Sequence, residues 1–100
     1  MNALIYEWDQ EKEKINIIKH KIDFDTAIKV FDDADRLEKY DIAHSTVEDR
    51  YITIGLVNDI AVILMVVYTM RGNDTIVRVI SARQATKSER RMYYDHNENF

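Results

Sequence analysis

The longest apolar run in the sequence extends over nine consecutive residues, Ile60 to Tyr68. This length is far below the roughly 20 residues that a membrane-spanning helix requires. A strand that is apolar on both faces is typical of the centre of a sheet, where other elements cover it from both sides. The run therefore predicts a central core strand from Ile60 to Thr69.

Extended segments flank this central strand on both sides. Tyr51 to Val57 precedes it, and the intervening Asn58-Asp59 is typical of a tight hairpin turn. Thr75 to Ala82 follows it, after a turn predicted at Met70 to Asp74. The three strands are expected to form an antiparallel meander.

The amino-terminal part of the chain has a helical pattern instead. Asp9 is a suitable N-cap for a helix from about Gln10 to His20. Ile15 and Ile18, continued by Ile22, lie three to four residues apart, and this spacing predicts that they face the core. The Lys and Glu residues of the helix are expected to face solvent.

A second helix is predicted directly after the first. Asp23 can cap it, and its apolar residues follow the i, i+3, i+4, i+7 spacing of an amphipathic helix. These residues are Phe24, Ala27, Ile28 and Phe31. The helix is expected to end near Phe31, where a polar loop begins.

A capping box predicts the carboxy-terminal helix. Thr86 and Glu89 have the spacing at which each side chain satisfies the other residue's amide, so a helix is expected from there to about His96.

Short strands are also predicted at Leu4 to Trp8 and Leu37 to Tyr40. The order of elements predicts an α+β fold: a small, mainly antiparallel sheet of four to five strands, two amino-terminal helices and one carboxy-terminal helix. Residues 1–100 are expected to form a single domain.

Composition excludes several kinds of chemistry. The chain contains no cysteine, which rules out disulfides, thiolate catalysis and Cys-based zinc sites. No secretory signal is visible at the start of the sequence, so the expected compartment is the cytoplasm.

The net charge of −4 is unevenly distributed: residues 1–49 carry 7 Lys and Arg against 13 Asp and Glu (−6), and residues 50–100 carry 7 against 5 (+2).

Most cations of the second half are concentrated near its end. Five fall within fourteen residues: Arg78, Arg83, Lys87, Arg90 and Arg91. They lie where a strand is predicted to lead into a helix. A basic junction on an otherwise acidic chain indicates a polyanion site, and nucleic acid is the commonest such ligand.

The residues of this cluster have different predicted roles. In a regular strand Arg78 and Arg83 would point to opposite faces, and Arg83 would emerge near the amino end of the last helix, where free amides also favour an anion. Arg83 is therefore the preferred phosphate ligand, and Arg78 is either an RNA contact or a structural residue. Arg90 and Arg91 lie near Tyr94, a combination that can pair a phosphate and stack a base.

Two histidines are candidates for proton transfer. His20 follows Lys19 at the end of the first helix, where the helix dipole favours a cationic imidazole. His44 lies in a polar loop that leads to Glu48 and Arg50, which again combines acid/base groups with a cation. A structural or merely exposed position is the alternative for each histidine. The histidines lack the spacing of a metal site, so no metal is expected.

Several short motifs follow one another along nearly the whole chain. They are Glu7-Trp8-Asp9; Asn16 with Lys19-His20; Phe24, Ala27 and Val30-Phe31-Asp32; His44; Glu48 with Arg50 before Ile54-Gly55; and Arg78-Val79-Ile80-Ser81-Ala82-Arg83, followed by Ala85-Thr86, Glu89-Arg90-Arg91 and Tyr94. In this order they resemble the BrnT family, toxins of bacterial type II toxin-antitoxin modules. Gln10 stands where the family usually has Pro, and Lys21 where it usually has Gly.

The resemblance implies a compact RelE-like ribonuclease fold. It also implies metal-independent RNA cleavage that halts translation, without a cofactor. The expected partners are the RNA substrate and a cognate BrnA-type antitoxin in a hetero-oligomer. Operator DNA is expected to be contacted only through the antitoxin, and no membrane is involved.

Cleavage of this kind needs cations for the phosphate, a base for the ribose 2′-hydroxyl and an acid for the 5′-oxygen. The hypothesis assigns the phosphate charge to Arg50 and Arg83, and proton transfer to His20 or Glu48. The remaining candidates are expected to hold or orient RNA: Lys19, Arg78, Arg90, Arg91 and Tyr94.

Two other functions remain open at this point. The chain could be a nucleic-acid-binding module without catalysis, acting in a repressor complex with a basic partner. It could also be an interaction protein whose acidic half binds a basic helix and whose arginines form structural ion pairs. Incubation with RNA in EDTA distinguishes the three functions.

Overall fold

The structure is a computed structural model that describes residues 4–98, so the expected domain of residues 1–100 extends at both ends beyond the described part. Within this part five strands form one sheet. They are β1 Ile5–Trp8, β2 Leu37–Tyr40, β3 Tyr51–Val57, β4 Val62–Arg71 and β5 Ile76–Gln84. Their order is β1-β5-β4-β3-β2, with β1 parallel to β5 and the other pairs antiparallel. The predicted α+β class and mainly antiparallel sheet are confirmed.

Two helices precede the meander and one follows it, as predicted. They are α1 Gln10–His20, α2 Phe24–Ala27 and α3 Lys87–Glu98. The second helix is shorter than expected, because the chain tightens after Ala27 into a 3-10 segment, Ile28–Asp32. No helix among residues 4–98 is long and apolar enough to cross a membrane.

The predicted helix caps are confirmed. The Asp9 carboxylate accepts hydrogen bonds from two amides of the first turn of α1 at 2.8 and 3.2 Å, and Asp23 accepts one from the Thr26 amide at 2.7 Å. At the start of α3 the Glu89 amide donates to Thr86 Oγ1 at 3.1 Å, and the Thr86 amide donates to Glu89 Oε1 at 2.8 Å. Each cap satisfies amides that the helix itself leaves without an acceptor.

The apolar run forms the central strand β4 and is buried on both faces. On the α2 face, Leu64, Val66 and Tyr68 pack beneath α2, whereas on the α3 face Ile63 and Met65 pack beneath α3. The predicted start of this strand is wrong by two residues. The hairpin turn extends to residue 61, which adopts a left-handed conformation with φ 54°.

Helix α1 is rotated relative to the prediction. Ile15 and Ile18 were expected to face the core, but both are exposed, and the buried residue of the helix is Asn16. The Asn16 side chain donates to the Ala82 carbonyl at 2.8 Å and accepts from the Ala82 amide at 3.0 Å. β1 pairs with β5 only as far as Val79. Further along β5, the side-chain amide of Asn16 takes the place of a strand partner for the Ala82 backbone.

A β-bulge in β5 corrects the prediction that Arg78 and Arg83 point to opposite faces. Val67 of β4 pairs with Ser81, but the next residue of β4 pairs with Val79, so Ile80 is an extra residue in β5. A bulge shifts the alternation of side chains by one position. Both arginines therefore lie on the α3 face.

Candidate functional site

A cleft remains open on the α3 face of the sheet between two helices. Helix α3 packs over β3, and α1 lies along β5. The cleft consists of two adjoining depressions of about 330 and 300 Å³. The first is lined by Asp41, His44, Arg50, Ile52, Met65, Val67, Ile80, Ser81, Arg83 and Glu89, and the second by Lys12, Ile15, Asn16, Lys19, His20, Arg50, Ile80 and Ser81. Because three residues line both depressions, the cleft is one continuous surface.

Arg50 is the cation that the two depressions share. Its backbone is fixed by the preceding loop: its amide donates to Ser45 Oγ at 2.9 Å, and its carbonyl accepts from the Asp41 amide at 2.9 Å. No carboxylate among residues 4–98 lies within ion-pair distance of its guanidinium. Arg50 therefore presents an uncompensated positive charge to an anion in the cleft.

Arg83 also lines the cleft, but its charge is shared with Glu89. Its guanidinium donates to the two carboxylate oxygens of Glu89 at 2.7 and 3.0 Å. The hydrogen bond from Arg83 holds the pKa of Glu89 below its ordinary value, and the same contact raises the pKa of Arg83. An anion that enters the cleft thus meets an oriented guanidinium that already has a carboxylate partner.

His44 contributes an imidazole that a carboxylate orients. Its Nδ1 lies 2.9 Å from Asp41 Oδ2, and the Asp41 side chain is only 12% exposed, whereas that of His44 is 69% exposed. With Nδ1 bound to the carboxylate, Nε2 is the ring nitrogen that can exchange a proton in the cleft. The sequence indicates His44 as a candidate but not Asp41, although a carboxylate three residues before a histidine is a visible signal.

Lys19 and His20 lie in the last turn of α1 and line the second depression. The cleft thus brings together five residues that the sequence indicated as candidates: Lys19, His20, His44, Arg50 and Arg83. These residues come from α1, from β5 and from the segment that precedes β3.

Glu48 is not part of the cleft lining. It pairs with Arg71 at 3.4 Å on the far end of β4. Both residues border a separate depression together with Asp49 and Asp74. The structure therefore does not bring this predicted catalytic carboxylate together with Arg50 and Arg83.

The remaining predicted RNA contacts also lie outside the cleft lining of the described residues. Arg78 pairs with Glu7 across the parallel β1–β5 pair. Arg90 donates to the Ala85 carbonyl at 2.9 Å. Arg91 and Tyr94 are exposed on α3, where the ring of Tyr94 contacts that of the buried Tyr93.

Replacing Glu89 with glutamine is expected to change how stability depends on pH. The pKa of Glu89 in the folded chain is lowered from its ordinary 4.5, mainly by its hydrogen bond with Arg83. The charged pair therefore stabilises the fold above about pH 4.5, and this contribution is lost as the pH falls through the lowered pKa. We expect Glu89→Gln to lower the free energy of unfolding by about 1 kcal/mol at neutral pH and by less at pH 3, which lies below the ordinary pKa of Glu89.

Urea unfolding of the parent chain and the variant at both pH values measures this difference. Glu98→Gln, which removes an exposed carboxylate from the other end of α3, serves as the control and should stay close to the parent. An equal loss of stability at both pH values would mean that the Glu89 charge has no role in the fold.

Comparison with known proteins identifies one family. A family model described as "Ribonuclease toxin, BrnT, of type II toxin-antitoxin system" matches residues 8–89. This segment contains all the residues that line the cleft. No curated protein matches the chain. Among residues 4–98, no three His, Asp or Glu side chains are grouped so that they could hold a metal ion.

Proposed function

The chain belongs to the BrnT family of ribonuclease toxins of type II toxin-antitoxin systems, and we propose that the cleft between α1 and α3 is where it cleaves RNA, without a metal ion. The observation that carries this proposal is the convergence of Arg50 and Arg83 with His20 and His44 in one cleft. Phosphate groups require cations, and cleavage requires proton transfer. The cleft provides both.

The reaction proposed is attack of a ribose 2′-hydroxyl on the adjacent phosphorus. A base removes the proton of the 2′-hydroxyl while the new P–O bond forms, and an acid gives a proton to the departing 5′-oxygen while the old P–O bond breaks. The products are a 2′,3′-cyclic phosphate and a free 5′-hydroxyl. The 2′-hydroxyl loses one proton and the 5′-oxygen gains one, so the reaction needs no co-reactant.

The two histidines are the proposed proton-transfer groups. They lie in the two depressions that Arg50 joins, so that a phosphate held at Arg50 has an imidazole available in each direction. One histidine acts as the base and the other as the acid. His44 replaces Glu48 in this role, because Glu48 lies outside the cleft with Arg71.

The arginines stabilise the negative charge that develops on the phosphate. Arg50 is the principal group, since no carboxylate among the described residues compensates its charge, and Arg83 adds a second, partly neutralised cation. Lys12 and Lys19 extend the positive charge along α1, where they can bind the next phosphates of the strand. The apolar floor beside Arg50, formed by residues such as Ile52 and Val67, can accept an unstacked base.

Cleavage of RNA by this site is proposed to halt translation in the cytoplasm, and a BrnA-type antitoxin is proposed to neutralise it. Operator DNA is contacted through the antitoxin rather than by this chain. The net charge of −4 supports the assignment of the DNA contacts to the antitoxin, because phosphate neutralisation by cations supplies most of the non-specific affinity for DNA.

Purified chain is expected to cut RNA in the presence of EDTA, since every group in the proposed mechanism belongs to the protein. The matched substrate control is the same oligonucleotide with 2′-deoxyribose at the cleaved position, which lacks the nucleophile and should stay intact. Cleavage and its products are measured by gel electrophoresis and mass spectrometry. Loss of activity in EDTA, or cleavage of the deoxy substrate, would contradict the mechanism.

A further inference from the structure

Helix α1 exposes an aliphatic ridge beside the cleft. Ile15 is 61% exposed and Ile18 is 75% exposed, and residues three apart lie next to each other on the surface of a helix. Ile15 also lines the second depression, so that the ridge continues directly into the cleft. We call Ile15 and Ile18 the α1 ridge.

The ridge does not serve the fold of the described chain. Asn16, which lies between these two positions in sequence, is the residue that attaches α1 to β5. The core continues only at Ile22, after Lys21 ends the helix with a left-handed conformation, φ 63°. The aliphatic side chains of the ridge are therefore available for contact with another molecule.

The chemistry of the ridge suits a protein better than RNA. Single-stranded RNA is bound by cations at its phosphates and by aromatic side chains that stack its bases. Isoleucine provides neither interaction, but it contributes strongly to protein interfaces when it becomes buried. The cations next to the ridge, Lys12, Lys19 and Arg50, favour a protein segment that carries carboxylates.

We propose that the α1 ridge is the docking site of the cognate antitoxin, which binds it with an acidic amphipathic segment. Apolar side chains of that segment pack on Ile15 and Ile18, and its carboxylates enter the adjoining depression and pair with Lys12, Lys19 and Arg50. The identity of the partner rests on the proposed function. The segment occupies the cations that RNA requires, so that antitoxin binding and RNA cleavage exclude each other.

Replacing Ile18 with serine tests the proposal. Ile18 lies outside the cleft lining, and because its side chain is 75% exposed the substitution should leave the fold intact. Antitoxin co-expressed with the toxin and then purified is the probe, and its affinity is measured by titration calorimetry. We expect Ile18→Ser to weaken binding at least about 10-fold, as truncation of a central apolar anchor does, and to leave the RNA cleavage rate unchanged.

Ile17→Ser is the matched control, because Ile17 is also an exposed isoleucine of α1, at 39%, but lies on the opposite side of the helix from Ile15. It should bind the antitoxin like the parent chain. Parent-like binding by Ile18→Ser, or an equal loss in both variants, would overturn the proposal. Slower RNA cleavage by Ile18→Ser with unchanged antitoxin binding would assign the ridge to RNA. That result would also overturn the proposal.

The dependence of antitoxin affinity on salt concentration tests whether the segment is acidic. Affinity for the antitoxin should fall markedly between about 0.05 and 0.5 M NaCl, because salt screens the proposed ion pairs. Affinity that does not depend on salt would overturn the assignment of an acidic segment. The binding assays do not depend on catalysis, so a parent chain that fails to cut RNA would refute the proposed function and leave the test of the ridge intact.

Discussion

Replacing Arg50 with alanine is expected to slow RNA cleavage about 10²- to 10³-fold, the usual cost of removing one preorganised donor to a charged transition state. Arg50 joins the two depressions of the cleft. Its backbone is held by Ser45 and Asp41, which fixes the point in the cleft from which the guanidinium reaches the phosphate. The fold should be unaffected, because the side chain makes no ion pair among residues 4–98.

Single-turnover cleavage of an RNA oligonucleotide by parent and variant measures this effect. Arg71→Ala removes the same charge from β4, outside the cleft, where Arg71 pairs with Glu48, and should cleave RNA at a rate close to that of the parent. Arg50→Lys should recover part of the loss, since lysine restores the charge but not the forked geometry of the guanidinium. Full activity of Arg50→Ala would remove the central element of the mechanism.

In the described part of the chain Arg50, rather than the Arg83 that the sequence favours, is the cation whose charge is free to bind a phosphate in the cleft. The sequence placed Arg83 at a strand end beside a helix start, and both features attract an anion. It also predicted the capping box of Thr86 and Glu89 correctly. What it did not predict is that Glu89, while serving the cap, also binds Arg83 through both carboxylate oxygens. One carboxylate thus satisfies an amide and compensates the cation.

The local features of the fold could be predicted because their causes are local. The bounds of α1 follow from a cap at Asp9 and a helical run of residues, and the bounds of β3 follow from an extended apolar pattern. The burial of β4 on both faces follows from its uninterrupted apolar residues. Each of these signals acts over a few residues, so neighbouring sequence is sufficient to reveal it.

The features that the sequence did not predict depend on distant pairing. The rotation of α1 is fixed by bonds between Asn16 and Ala82, 66 positions apart, and periodicity alone favoured the isoleucines instead. The bulge at Ile80 is visible only once β5 is aligned with β4. It moves Arg78 and Arg83 to one face, which no pattern within a single strand could indicate.

The residues of the candidate site were predicted only in part, because the site also depends on which distant segments come together. Lys19, His20 and Arg50 belong to motifs that resemble the family, and the structure brings them together in the cleft. Glu48 belongs to the same set of motifs but points to another depression. Proximity in sequence to Arg50 favoured Glu48, whereas Asp41, which is further away, is the carboxylate that orients His44.

Replacing Asn16 with alanine is expected to produce the largest loss of stability among single substitutions in α1. The side chain makes three hydrogen bonds at 2.8 to 3.0 Å, two with the Ala82 backbone and one with the Ile22 carbonyl. Alanine leaves these buried backbone groups without partners, and each such group costs about 1 to 3 kcal/mol. We expect a total loss of about 3 kcal/mol, which lowers the melting temperature by roughly 12 to 24 °C for a chain of this length.

The same substitution should also reduce RNA cleavage below the melting temperature, because α1 carries Lys19 and His20 into the cleft and Asn16 holds α1 on β5. Thermal unfolding and cleavage at a temperature where the variant is folded measure the two effects. Asn97→Ala is the matched control: its amide also donates to two carbonyls, at 2.8 and 3.2 Å, but at the surface of α3, where water can replace it. Equal destabilisation by the two alanine variants would show that the buried position of Asn16 has no special role in attaching α1.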